Sequence, residues 1–494
     1  MSVSPRKLAA QVIAQLTSEI GAKMKDKVGA NTTDNGVNRR DFLKVGATAA
    51  AVAGASSVGM AESASAAAYN PKKFAGTTVK ILLVDGERDQ EGIKDKISEI
   101  QKTHGIKVEV TALALGAQLE KIQSVLHAPT SEYDIIDNLG FTVSGVVGGG
   151  LFTKLNDYIA NKELTASNYN YPADFPAGQL DYTSRYDVAN NKFGGKDVYL
   201  IPGMHSGSVI MFYRKDLLAA AGIPVPKNWD DYIDAARKLN SGKISGTTMI
   251  AANDVSLILV DWYARFASMG GKLMSGTPGA KNYKPNLTGA TAVRAVQHMI
   301  DCAEVSPKGV GSFGFTESVD AFSRGDVALM LCWSTIAGSA FNPATSKVAS
   351  KIGAAQIPGD ANTSGRPIRG GWGLGIPKNL PQKRKDAAWM VMQYITSAAF
   401  DKYQFDNYQT DPNRRGTYVD AALNKKYSYL KVAGQAMENA KMLDVALIPE
   451  CFELVGEAAR EFNLAIVGSQ TAKQACANAQ ASWEKILKRA GHLA

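Results

Sequence analysis

Val79-Lys80-Ile81-Leu82-Leu83-Val84 is the segment from which the fold is read. It is apolar and rich in β-branched residues, which favours a strand. A charged stretch, about Gln90–His104, follows and ends at Gly105, as a helix would. Ile106-Lys107-Val108-Glu109-Val110 then alternates with period two, the pattern of a half-buried strand. A second helix is predicted over about Gln118–His127, and Tyr133-Asp134-Ile135-Ile136 reads as a third strand. Strand, helix, strand, helix, strand predicts an α/β fold with a mostly parallel sheet and helices on both faces.

Downstream the helical period recurs. Asn228 is placed to cap a helix whose apolar positions Tyr232, Ala235, Ala236 and Leu239 follow i, i+3, i+4, i+7. Ala388, Val391, Met392 and Ile395 repeat the spacing. A final stripe runs through Ala472, Ala475, Cys476, Ala479, Trp483, Ile486 and Leu487. The charge-free run Val327–Ser346 contains Gly338 and Pro343, and only its start is strongly apolar. It reads as a strand followed by a loop or short helix, not as a membrane span.

The N-terminal segment reads as an address. Asn38-Arg39-Arg40-Asp41-Phe42-Leu43-Lys44 precedes a mild apolar stretch, Val45–Ala61, and the small-residue run Ala64-Ser65-Ala66. This order resembles a twin-arginine (Tat) export signal over 1–66, cleaved near Ala66 or Ala68. No cysteine stands at the cleavage site to take a lipid, so a free periplasmic protein is expected.

Of 494 residues, 428 then remain. The sequence holds 55 Lys plus Arg against 46 Asp plus Glu, a net charge of +9. The first 66 residues contribute 8 basic and 5 acidic side chains, leaving +6. The remaining basic clusters, Lys383-Arg384-Lys385 and Arg414-Arg415, are short and read as solvated surface. No nucleic-acid motif accompanies them, so no nucleic-acid partner is expected. The composition, 45% hydrophobic and 20% charged, excludes a disordered protein, and 4 cysteines exclude a disulfide scaffold. Cys451 and Cys476 fall at different heights on two helices joined near Gly468, so both are expected as buried free thiols. For Cys302 and Cys332 the sequence leaves pairing open.

Four segments together resemble the family 1 extracellular solute-binding proteins of ABC importers, the group of maltose-binding protein. They are Phe212-Tyr213-Arg214-Lys215-Asp216-Leu217-Leu218 running on to Trp229-Asp230-Asp231; Ala321–Met330 with Trp333; Gly370-Gly371-Trp372-Gly373-Leu374-Gly375-Ile376-Pro377 with Ala388-Trp389; and Gly468 with Ala475 and Trp483-Glu484-Lys485-Ile486-Leu487. Their order spans the mature protein. The resemblance implies a type II periplasmic-binding fold, two α/β lobes joined by hinge crossings near Tyr213 and Gly370–Gly373. Lobe one would be 75–213 plus 373–425, and lobe two 214–372 plus 426–494. It also implies a monomeric binding component that delivers a sugar, oligosaccharide or polyol to a permease in the inner membrane.

Candidate ligand residues follow from where strand ends meet a cleft. A sugar needs a flat aromatic for its C–H face and fixed polar groups for its hydroxyls. Trp333 follows a strand, and Trp372, set among glycines, reads as a loop residue pressed near ligand or hinge. Glu87 and Arg88 follow the first strand, and Asp137 and Asn138 the third. His205 precedes the first crossing and Arg369 precedes the Gly-Gly-Trp segment. Trp262 fits either a site or a core. Trp229, Trp389 and Trp483 lie on helical stripes and read as core.

No cofactor motif, metal-ligand spacing or nucleophile arrangement is present, so no enzyme activity is expected. Two rival readings are a polyamine, phosphorylated polyol or metal chelate in the same fold, and a Tat-exported enzyme. Tyr169, Tyr171, Tyr182 and Tyr186 are the residues a ferric-iron reading would use.

Overall fold

The structure, a computed structural model, describes residues 68–85, 89–204, 206–253, 257–360 and 364–494. The export-signal reading over 1–66 lies outside them. Nine strands build two sheets: β1 (Thr78–Val84), β2 (Lys107–Leu113), β3 (Ile135–Leu139), β4 (Leu200–Pro202), β5 (Val209–Arg214), β6 (Ser245–Thr248), β7 (Val327–Trp333), β8 (Ile352–Ala355) and β9 (Trp372–Gly375). The first sheet has the order β2-β1-β3-β9-β4 and the second β8-β5-β7-β6. β1, β2 and β3 run parallel, and β9 enters antiparallel to both β3 and β4. In the second sheet β5 is antiparallel to β7 and β8, while β7 runs parallel to β6.

Period-two alternation decides the cores. Ile81, Leu83 and Ile135 face one side of the first sheet, packed with Trp389 and Ile395. Leu82 and Ile136 face the other, against Ile122, Val125 and Val146. In the second sheet Met211, Leu329 and Leu331 pack with Trp229, Trp262 and Trp483. Ile210, Phe212 and Met330 point oppositely, onto Phe405, Tyr418, Leu430 and Met437. Both faces of each sheet are covered, as parallel and mixed sheets require.

The helices bear the predicted stripes. They include α1 (Asp89–His104), α2 (Leu115–His127), α3 (Trp229–Leu239), α4 (Ile258–Ser268), α5 (Ala290–Glu304), α6 (Gln382–Ile395), α7 (Ala398–Tyr408), α8 (Leu430–Asn439), α9 (Cys451–Ile466) and α10 (Ala472–Arg489). The Asn228 side chain accepts from the Asp231 N–H and caps α3. Thr471 and Gln474 form a reciprocal capping box at α10. The charge-free stretch beginning at Val327 becomes strand β7, one turn of 3-10 helix and the short helix Ala337–Ala340. No helix among the described residues is long and apolar enough to cross a membrane. All four cysteines are free and buried, and burial pushes the Cys302 thiol up to about 11.

Two expectations need correction. Trp372 is not on a loop: it opens strand β9 and is 6% exposed. Glycines make this strand possible, because a Cβ at 373 would lie 2.5 Å from Thr183 Cγ2 and one at 375 would lie 2.6 Å from the Phe152 ring. Arg414 is not solvated surface. Its buried guanidinium donates to the carbonyls of Thr396 and Tyr169 and lies 3.9 Å from the centre of the Phe175 ring. A lone Arg-Arg pair in sequence gives no sign of such a pocket.

Candidate ligand-binding site

Between β4 and β5 the described residues 203–204 and 206–208 lie ahead of Tyr213, which lies inside β5 opposite Leu329. The polypeptide returns through 367–371, and a third passage runs through 440–442. These segments lie side by side. Val209 N donates to Ile368 O at 2.9 Å, Gly370 N to Gly207 O at 2.9 Å, and Arg369 N to Lys441 O at 3.0 Å. The Ser334 N–H closes the opposite edge onto Ser208 O at 2.9 Å. The ends of both sheets therefore meet at one seam.

Backbone at this seam lacks side chains where the Trp333 indole needs room. A Cβ at 370 would lie 2.8 Å from Trp333 Nε1, and one at 207 would lie 3.4 Å from Trp333 Cβ. Trp333 is partly buried, packs near Phe315 with ring centres 6.2 Å apart, and has an indole N–H without a partner. On the first-sheet side β9 lies against β3, with Trp372 opposite Leu139, Gly373 opposite Asn138 and Leu374 opposite Asp137. The Gly140 N–H donates to Gly371 O at 3.3 Å.

The seam thus gathers Trp333, Arg369, Trp372, Asp137 and Asn138. Asn138 is already engaged: it donates to Leu139 O and accepts from the Thr142 hydroxyl at 3.1 Å, which fixes the turn after β3. Asp137 is buried beside it. Arg369 is fully buried, and burial pushes its guanidinium down to about 10. Trp262 is not at the seam. It stacks on Phe266 at 4.7 Å, sits 5.0 Å from Phe462, and donates to Ala292 O inside the second core. Glu87, Arg88 and His205 lie outside the described residues. Three of the four tyrosines of the iron reading have hydroxyl partners within the protein: Tyr169 bonds Thr396, Tyr171 bonds Ser184, and Tyr186 donates to Asn191.

Sequence reasoning missed several residues at the seam. Asp411 is buried and accepts from the Ser334 hydroxyl at 2.6 Å, and a Cβ at 207 would lie 2.8 Å from its Oδ2. Its only sequence signal, Thr410-Asp411-Pro412-Asn413, is that of any turn. Phe141 and Phe452 approach from opposite sides with ring centres 6.2 Å apart. Lys441 sits over the Tyr182 ring at 5.5 Å. These pairs are distant in sequence and share no periodicity.

Over residues 84–402 the protein matches the family of bacterial extracellular solute-binding proteins, and it belongs to that family. It is 25% identical over 318 residues to a mannitol-binding protein of Pseudomonas aeruginosa, covering 60% of this protein and 70% of the relative. Among solved structures it is similar to an ABC transporter solute-binding protein of Agrobacterium radiobacter K84 in complex with ribitol. That match has a TM-score of 0.69 and 22% identity, over 84% of this protein and 99% of the other. It is also similar to maltose-bound T. maritima MalE3, with a TM-score of 0.69 and 19% identity over 83% of this protein and all of the other. The fold is the type II periplasmic-binding fold of two lobes, and the protein is a solute-binding protein of the ABC-transporter kind.

Proposed function

We propose that this protein captures a sugar or polyol between its two lobes and delivers it to an inner-membrane ABC permease, working in the periplasm after Tat-directed export. The observation that carries the reading is the seam itself. A partly buried indole, Trp333, whose buried N–H has no hydrogen-bond partner among the described residues, is brought against hinge glycines, beside the strand ends that hold Trp372, Asp137 and Asn138. Trp333 offers a flat apolar face for the C–H groups of a sugar ring or an open polyol. The backbone and the buried polar groups around it supply directional contacts. The lobes are taken as 75–213 with 373–425 and 214–372 with 426–494, with the α7 region touching both. Ligand contact to both lobes biases an open arrangement toward a closed one, a hinge transition. The mannitol, ribitol and maltose bound by the similar proteins support this ligand class. The protein has no catalytic step of its own in this reading.

Calorimetric titration of the mature protein with D-mannitol, ribitol and maltose tests it. Binding of at least one, weakened at least about tenfold by Trp333→Ala, is expected, since an indole stacked on a ligand is worth more than about 1.4 kcal/mol. Binding only of a cation, a polyamine or a redox cofactor would reject the reading.

A further inference from the structure

Arg369 raises a problem of charge. Its side chain is fully buried, yet among the described residues its only side-chain hydrogen bond runs from Nη2 to Ser206 Oγ at 3.3 Å. Nε and Nη1 have no partner, and no carboxylate of the described residues pairs with the guanidinium. Burying a cation without an acceptor or a counter-charge is costly. Buried polar groups without protein partners call for a water or an ion.

A second orphaned group lies close by. The Tyr418 hydroxyl is fully buried, has no hydrogen-bond partner, and is near enough to interact with the Arg369 charge. Burial, and then the charges of Asp411 and Asp401, hold this phenol well above its usual range, so it stays protonated and able to donate. Guanidinium and phenol together present donors, a set suited to an anion and not to a cation.

The backbone places Arg369 toward α8. Arg369 pairs with Ser208, and Ser208 Oγ faces Met437 Sδ at 3.9 Å on that helix. Met437 and Tyr418 share one core of the second sheet, while the neighbours Ile368 and Val209 point the other way, into the opposite core. Trp333 packs against both cores.

We propose that Arg369, Ser206 and Tyr418 form a site for a small inorganic anion at the hinge. The ion offsets the buried guanidinium and fixes the 367–371 crossing, whose Arg369 N–H holds Lys441 and whose Gly370 N–H holds Gly207.

The test is thermal unfolding of the full-length protein in chloride against 2-(N-morpholino)ethanesulfonate at matched ionic strength, without solute. Chloride is expected to raise the Tm by about 1–2 °C for each tenfold increase above its Kd. Arg369→Met should abolish the difference and Tyr418→Phe should reduce it. Equal chloride dependence in the wild type and Arg369→Met would overturn the site. Should Arg369→Met fail to fold, crystals grown in bromide decide: an anomalous peak touching Arg369 and Tyr418 supports the site, and its absence there rejects it. Stabilisation by glucuronate but not by chloride, lost in Tyr418→Phe, would also reject it, since it would place a solute's acid group there instead.

Discussion

His298 illustrates how single residues are held in one protonation state. Its Nδ1 accepts from Arg265 Nε at 3.0 Å and its Nε2–H donates to Trp229 O at 3.0 Å, so the ring must stay neutral. Burial and the adjacent Arg265 charge push its pKa down to about 3. A histidine depressed below its unfolded value of about 6.5 contributes stability that is complete above that value and is lost as pH falls toward 3. The wild type is therefore expected to lose up to about 1.4 kcal/mol per pH unit more than His298→Gln between about pH 6 and 4. Parallel stability curves from denaturant titrations across that range would contradict this. Nothing in the sequence marked His298, because its partners come from α3 and α4, far from it along the polypeptide. Trp333 was legible because it ends an obvious strand. Arg369 was legible as a residue of the hinge, but its burial was not.

At the scale of elements, local signals did most of the specifying. Asn228 before Trp229-Asp230-Asp231 is a capping pattern, and the structure contains that cap. Asn228→Ala should cost about 1 kcal/mol by chemical denaturation, and loss of much less would mean that α3 is held by packing alone. Strand β9 behaves otherwise. Four residues among glycines have no strand signature, and the element exists because β3 and β4 flank it on both sides. Its glycines record that crowding. Gly373→Ala puts a methyl 2.5 Å from Thr183 Cγ2 and 2.9 Å from Leu200 Cβ. It should destabilise by about 1–3 kcal/mol, as overpacking does, although alanine is the better residue for an isolated segment. An unchanged denaturation midpoint would show that β4 yields without cost.

Across the whole molecule, α7 joins what the sheets divide. Phe400 packs in the core of the first sheet and Phe405 in that of the second. Tyr403 and Tyr408 both donate to Asp95 on α1, while Gln409, just beyond α7, reaches Gly338 beyond β7. The segment is a mechanical link, so thermal unfolding of the described region should be one calorimetric transition. Phe405→Ala should cost about 3–5 kcal/mol and broaden or split that transition. Two separate transitions in the wild type would show that the lobes unfold independently despite the link. A solute at about 100 times its Kd should add about 2.7 kcal/mol to the whole.

The sequence by itself determined the alternation of strands and helices, the capped helix ends and the apolar faces. Those depend on φ/ψ preference and on neighbours two to four residues away, which are written in the polypeptide. The ordered set of motifs around Tyr213, Trp333, Trp372 and Trp483 also pointed to the family before any contact was known. Only the tertiary structure decided which strand ends meet, that three passages form the seam, and that Asp411, Phe452 and Lys441 reach it. It alone buried Arg414 and Arg369 and sent Trp262 into the core. Burial and polar partnership arise from segments hundreds of residues apart, and no local pattern encodes the distance between them once folded.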